Sequence, residues 1–99
     1  MRLSNDQIRR LKKLVAEELG ESARLRLFGS RLDDDAKGGD IDLLVELTDP
    51  VFDPAPLVAR VAVRASRAMD GRKVDVVLLA QNLQRLPIHE AALRQGVVL

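Results

Sequence analysis

The spacing of apolar residues changes period along the chain, and each change marks an element. Ile8, Leu11, Leu14, Val15 and Leu19 recur every three to four residues, as one stripe of a helix does. Ser4 with Gln7 has the form of a capping box, and Leu3 and Ile8 occupy the staple positions. The helix is therefore predicted to start at about Asn5 and to stop at Gly20. From Arg24 to Phe28 polar and apolar residues alternate, the mark of a strand with one buried face. A loop rich in Gly and Asp follows, and Asp40 to Leu47 reads as a second strand closed by Asp49-Pro50 and a proline-punctuated linker through Pro56. A second helix is predicted over about Pro56 to Met69, opened by Asp53 or Pro54 and ended by Gly71. Its stripe is Leu57, Val58, Val61, Ala62, Ala65 and Met69. Lys73 to Leu79 reads as a third strand, apolar on both faces except at Asp75. A helical pattern returns around Asn82, is interrupted or restarted at Pro87, and runs to Gln95, ahead of Gly96 and a terminal Val97-Val98-Leu99.

The order α-β-β-α-β-α, with a short last strand at the end, predicts an α/β (α+β) fold. Strands joined both directly and through a helix call for a small mixed sheet of three to four strands flanked by helices. With 99 residues, a single domain over 1–99 is expected.

Composition narrows the function classes. Sixteen basic and fifteen acidic side chains nearly cancel, which argues against a general polyanion binder. Phe28 and Phe52 are the only aromatics, too few to stack successive bases, so no direct nucleic-acid binding is expected. The absence of cysteine removes disulfides and thiolate metal sites. The N-terminus reads as neither a signal nor a transit peptide, and no apolar run is long enough to span a bilayer, so a cytoplasmic protein without membrane association is expected.

The acidic positions carry the chemistry. Asp40 and Asp42 alternate on one strand and share a face, with Cα atoms about 6.6 Å apart. At an effective dielectric near 20 such a pair repels by about 2.5 kcal/mol, a large share of a small domain's stability. Asp75, within Val74-Asp75-Val76-Val77-Leu78-Leu79, is the expected third member, since an unpaired acid in a buried strand is costly. A divalent cation resolves all three, and oxygen ligands suit Mg²⁺ or Mn²⁺. Gly29-Ser30 ends the first strand, where glycine lets backbone N–H groups approach a phosphate and the Ser30 hydroxyl adds a donor. Phosphate binding beside a carboxylate-held metal pair is the arrangement that in-line nucleotidyl transfer needs.

Gly29-Ser30, then Asp40-Ile41-Asp42, then a strand-borne Asp75 resembles the signature of the polymerase β-like nucleotidyltransferase superfamily. The short length and the ending "PIHEAALRQGVVL" resemble its minimal nucleotidyltransferase (MNT) branch, the antitoxin-like partners of HEPN-domain proteins. Gly39 stands where that family commonly has a serine. The resemblance implies that Gly29 and Ser30 hold the triphosphate with Arg31 offsetting its charge, that Asp40, Asp42 and Asp75 bind two Mg²⁺ ions, and that Asp75 also positions the acceptor hydroxyl. The implied activity is an enzyme of a toxin–antitoxin system that moves AMP from ATP onto a hydroxyl of a HEPN-family partner, AMPylation, within a homo- or hetero-oligomer. The rival is a non-catalytic antitoxin that neutralises its partner by complex formation alone.

Other features read more plainly. Asp33, Asp34 and Asp35 form a solvated acidic turn. His89 has no partner acid nearby in sequence and is expected at the surface or in interface packing. Arg9, Arg10, Lys12 and Lys13 make a basic helix flank partly balanced by Glu17 and Glu18. Asp75 has a structural alternative, pairing with Arg24 or Arg26.

Overall fold

A helix that starts on its own capping groups sets the first boundary. The computed structural model describes residues 3–28, 41–83 and 85–99, and in it α1 spans Asn5–Leu19. The Ser4 hydroxyl accepts from the Gln7 N–H at 3.1 Å, while Gln7 Oε1 accepts from the Ser4 N–H at 2.9 Å. Two N–H groups that the helix cannot satisfy are thereby paired. Gly20, at φ +100°, turns the chain out, a conformation glycine adopts without steric cost.

The strands β1 (Arg24–Phe28), β2 (Ile41–Glu46), β3 (Val74–Leu79) and β4 (Val97–Val98) form one sheet in the order β3-β2-β1-β4. β1 and β2 are antiparallel, β2 and β3 parallel, and β4 is antiparallel to β1. The parallel pair is joined by α2 (Pro54–Ala68), as a crossover requires. α2 starts two residues ahead of the predicted position, because prolines at 54 and 56 fall in the first turn, where their missing N–H costs nothing.

Alternation gives the sheet two different faces. Leu25, Leu27, Ile41, Leu43, Val45, Val74 and Leu78 pack with Leu11, Leu14 and Val15 of α1 and with Val61, Ala65 and Met69 around α2 in the main core. The opposite face carries Phe28 and Leu44, which pack with Ala92 of α3 (Pro87–Gln95), and with Val77, Leu79 and Leu93 at the margin. α3 leaves part of this second face open. That opening is where Asp42 of β2 and Asp75 of β3 lie.

The two helices on the main core are tied at the surface. Glu18 accepts from Arg60 Nε and from Arg64 Nη1, each at 3.1 Å, and Arg64 Nη2 donates to Glu17 at 2.6 Å. Arg60, and then Arg64, hold the Glu18 carboxyl below the ordinary glutamate range. Such exposed pairs fix the helices' mutual position more than they add stability. Glu17 and Glu18 thus serve α2, whereas Asp6 pairs with Arg9 and Arg10 on the basic flank.

Two expectations are corrected in the last third of the chain. No helix forms at Asn82, whose side chain instead clamps the linker: its Oδ1 accepts from the Val51 N–H at 2.9 Å and its Nδ2 donates to the Val51 carbonyl at 2.6 Å. Asn competes with the helix by bonding to backbone in this way. His89 is buried rather than at the surface, with 5% of its area exposed. Its Nδ1 accepts from the Leu86 N–H at 2.8 Å and its Nε2 donates to the Leu78 carbonyl at 2.9 Å. One imidazole therefore caps α3 and anchors it to β3.

The far end of α3 is fixed by close approach. A Cβ on Gly96 would lie 2.3 Å from the Ala92 carbonyl oxygen and 3.2 Å from the Arg26 Cβ. Gly96→Ala is accordingly expected to destabilise the domain by about 1–3 kcal/mol through forced displacement of α3 from β1, measured as a lower midpoint in urea. An unchanged midpoint would show that α3 has slack at this junction.

Candidate functional site

Three strand ends meet on the open face. The Ile41 N–H donates to the Lys73 carbonyl at 2.8 Å, and this bond sets the register in which Asp42 stands opposite Asp75. On the other side of β2, Asp42 stands opposite Phe28, the last residue of β1. Neighbouring strands lie about 4.8 Å apart, and paired residues direct side chains to the same face. Two carboxylates distant in sequence are thus neighbours across one ladder. The next pair along the same face is Leu44 and Val77, and Leu44 with the buried Phe28 makes an apolar floor beside the acids.

Burial departs from expectation at Asp75. β3 is an edge strand with one neighbour, and the Asp75 side chain is 49% exposed, so it is not an acid lodged in a buried strand. Asp42, on the central side, is half-buried. The charge of Asp75 is met by Lys73, whose Nζ lies 3.8 Å from Oδ1. Neither Arg24 nor Arg26 is its partner, because β2 intervenes, and Arg26 Nε donates to Glu46 Oε1 instead.

Of the residues marked by the sequence, the fold brings Asp42 and Asp75 together. Gly29, Ser30, Arg31 and Asp40 lie outside the described residues, as do Asp33, Asp34 and Asp35. Among the described residues no three His, Asp or Glu side chains gather as a metal cluster. The donor chemistry of Asp42 and Asp75, two hard oxygen ligands on adjacent strands, nonetheless fits a Mg²⁺ or Mn²⁺ ion that completes its shell with water, substrate or a further acid. Lys73 was not singled out from sequence. Its position two residues before Asp75 was the available signal, since alternation sets the two on one face.

No helix among the described residues is long and apolar enough to cross a membrane. No curated protein matches the chain. Solved structures share its fold, among them the following two. One is a crystal structure of a mutant form of the toxin–antitoxin MntA-HpeT, with a TM-score of 0.66 and 23% identity over 98% of this chain and 71% of that one. The other is a crystal structure of a toxin–antitoxin with AMP-PNP, with a TM-score of 0.67 and 23% identity over 97% of this chain and 72% of that one. The family model of the nucleotidyltransferase domain matches residues 8–95, which include β1, β2 and β3 with both carboxylates. That span is most of the sequence, and the chain belongs to the nucleotidyltransferase domain family.

Proposed function

We propose that the protein is the antitoxin-like member of a toxin–antitoxin pair, and that it transfers AMP from ATP to a hydroxyl group of its protein partner, a HEPN-family toxin. The observation that carries the reading is the register of β2 and β3, which sets Asp42 against Asp75 on the open face. The family match supports nucleotidyl transfer. The toxin–antitoxin relatives, one of them with AMP-PNP, support the partner and the nucleotide.

In this reading Asp40, Asp42 and Asp75 hold the metal, and Gly29, Ser30 and Arg31 hold the triphosphate. Bound there, divalent ions would acidify the acceptor hydroxyl and neutralise charge on the phosphates. The acceptor oxygen attacks the α-phosphorus, the bond to the β-phosphate oxygen breaks, and pyrophosphate leaves. Asp75, on the exposed edge strand, is placed to orient that hydroxyl and to take its proton. Phe28 and Leu44 back the acids with apolar surface, which strengthens their electrostatic action.

The described hydroxyls of this chain support an acceptor on another molecule; Ser30, the remaining serine, lies outside the described residues. There is no tyrosine. Ser4 caps α1, Ser66 lies on α2 across the sheet, and Ser22 and Thr48 sit 3.3 Å apart at the opposite end of the β1–β2 ladder. None of these described hydroxyls is on the carboxylate face. Incubation with α-labelled ATP, Mg²⁺ and the product of the neighbouring gene should label the partner and leave this chain unlabelled. An unlabelled partner that is still silenced would favour neutralisation by complex formation alone.

A further inference from the structure

Lys73 is a charged residue beside the carboxylate pair, and the reading above gives it no role. Its carbonyl receives the Ile41 N–H, so its backbone is pinned where β2 and β3 begin, beside the carboxylate pair. Its side chain is 69% exposed and its Nζ lies 3.8 Å from Asp75 Oδ1. That distance is beyond a hydrogen bond, so Asp75 holds the ammonium by charge, and among the described residues its three donors stay available to other acceptors. A four-carbon stem gives it several ångströms of reach over the open face.

Resting on the nucleotidyltransferase reading, we propose that Lys73 is a two-position residue: its ammonium neutralises Asp75 in the free protein and moves to a phosphate oxygen of the nucleoside triphosphate when a divalent cation takes Asp75. The exchange follows from charge. A dication that binds Asp75 repels an ammonium a few ångströms away, while the triphosphate arriving with it offers that ammonium a new anionic partner. Lys73 thereby lowers affinity for a metal without nucleotide and raises affinity for the two together. The site is protected from idle metal binding and selects the metal–triphosphate complex.

Calorimetric titrations of Lys73→Met and Lys73→Arg, with Mn²⁺ alone and with AMP-PNP in the presence of Mg²⁺, test the idea. Methionine keeps the stem and the backbone carbonyl, so the melting temperature should stay within about 3 °C. Loss of one charge-assisted hydrogen bond should weaken AMP-PNP binding by about 10-fold in Lys73→Met. Removal of the competing ammonium should tighten Mn²⁺ binding by about 3- to 10-fold. Lys73→Arg, which keeps the charge, should stay within about threefold of the wild type in both titrations. The proposal requires the opposite signs in Lys73→Met, and any other pattern in a wild-type protein that binds both ligands overturns it alone. A wild type that binds neither Mn²⁺ nor AMP-PNP overturns the nucleotidyltransferase reading, and this proposal with it.

Discussion

Asp42→Asn and Asp75→Asn are each expected to lower nucleotidyl transfer to the partner by at least about 10³-fold while leaving the fold intact. Asparagine is isosteric with aspartate, so packing around the half-buried Asp42 is preserved, but a neutral amide is a poor ligand for a hard dication and cannot accept the acceptor's proton. The magnitude follows from the transition state: a loss of about 4 kcal/mol of charge stabilisation is about three orders of magnitude in rate. Label transfer measured at saturating ATP, next to thermal melts of the same variants, separates chemistry from folding. Variants that melt normally and still transfer at more than about a tenth of the wild-type rate would exclude these residues from the reaction. Two carboxylates that act on one ion, as proposed, should give a double variant little worse than either single one.

Leu43→Ala should be the most damaging conservative change to the fold itself. Leu43 is fully buried in β2, which has a paired strand on each side, and its side chain lies in the main core beneath α1 and α2. Removing it deletes three carbons and leaves a cavity that strands paired on both edges cannot close. A cost of about 3–4 kcal/mol follows, or a fall in melting temperature of roughly 12–25 °C for a domain of this size. Urea denaturation monitored by circular dichroism should give a lower midpoint with an unchanged slope. A loss under about 1 kcal/mol would mean that α1 and α2 settle into the gap, and that the core is looser than its full burial suggests. Because Asp42 adjoins Leu43, this variant should also transfer label poorly at temperatures where it is still folded.

Much of this fold was legible in the pattern of the sequence, and the reasons differ by element. α1 was placed at its first residue because Ser4 and Gln7 announce a local capping box, and Gly20 a local stop. β1 was legible because one of its faces is buried and the other carries Arg24 and Arg26. The beginning of α2 was misplaced by two residues because prolines punctuate linkers and helix first turns alike. Asn82 and His89 depart from the sequence expectation for a deeper reason. Their partners, Val51 for one and Leu78 for the other, are remote in sequence, and no local pattern records such bonds.

The site divides in the same way. Asp42 and Asp75 stood out as acids inside apolar strands, but the bond that aligns them, Ile41 N–H to the Lys73 carbonyl, belongs to the tertiary pairing of β2 with β3. The expected burial of Asp75 was wrong because an apolar run does not reveal whether its strand is central or at an edge. An edge position leaves the acid half open, which suits its proposed role of meeting an acceptor from another protein.

Metal and nucleotide are proposed to bind at the starts of β2 and β3. Paramagnetic line broadening by Mn²⁺ with AMP-PNP, read from backbone amide resonances, locates the ion directly. The account predicts that the amides of Phe28, Ile41, Asp42, Leu43, Val74, Asp75 and Val76 broaden first, and that Asp42→Asn abolishes the effect at the same Mn²⁺ concentration. Broadening centred instead on Asp49 and Asp53, at the opposite end of the sheet, or the same broadening in Asp42→Asn, would contradict it.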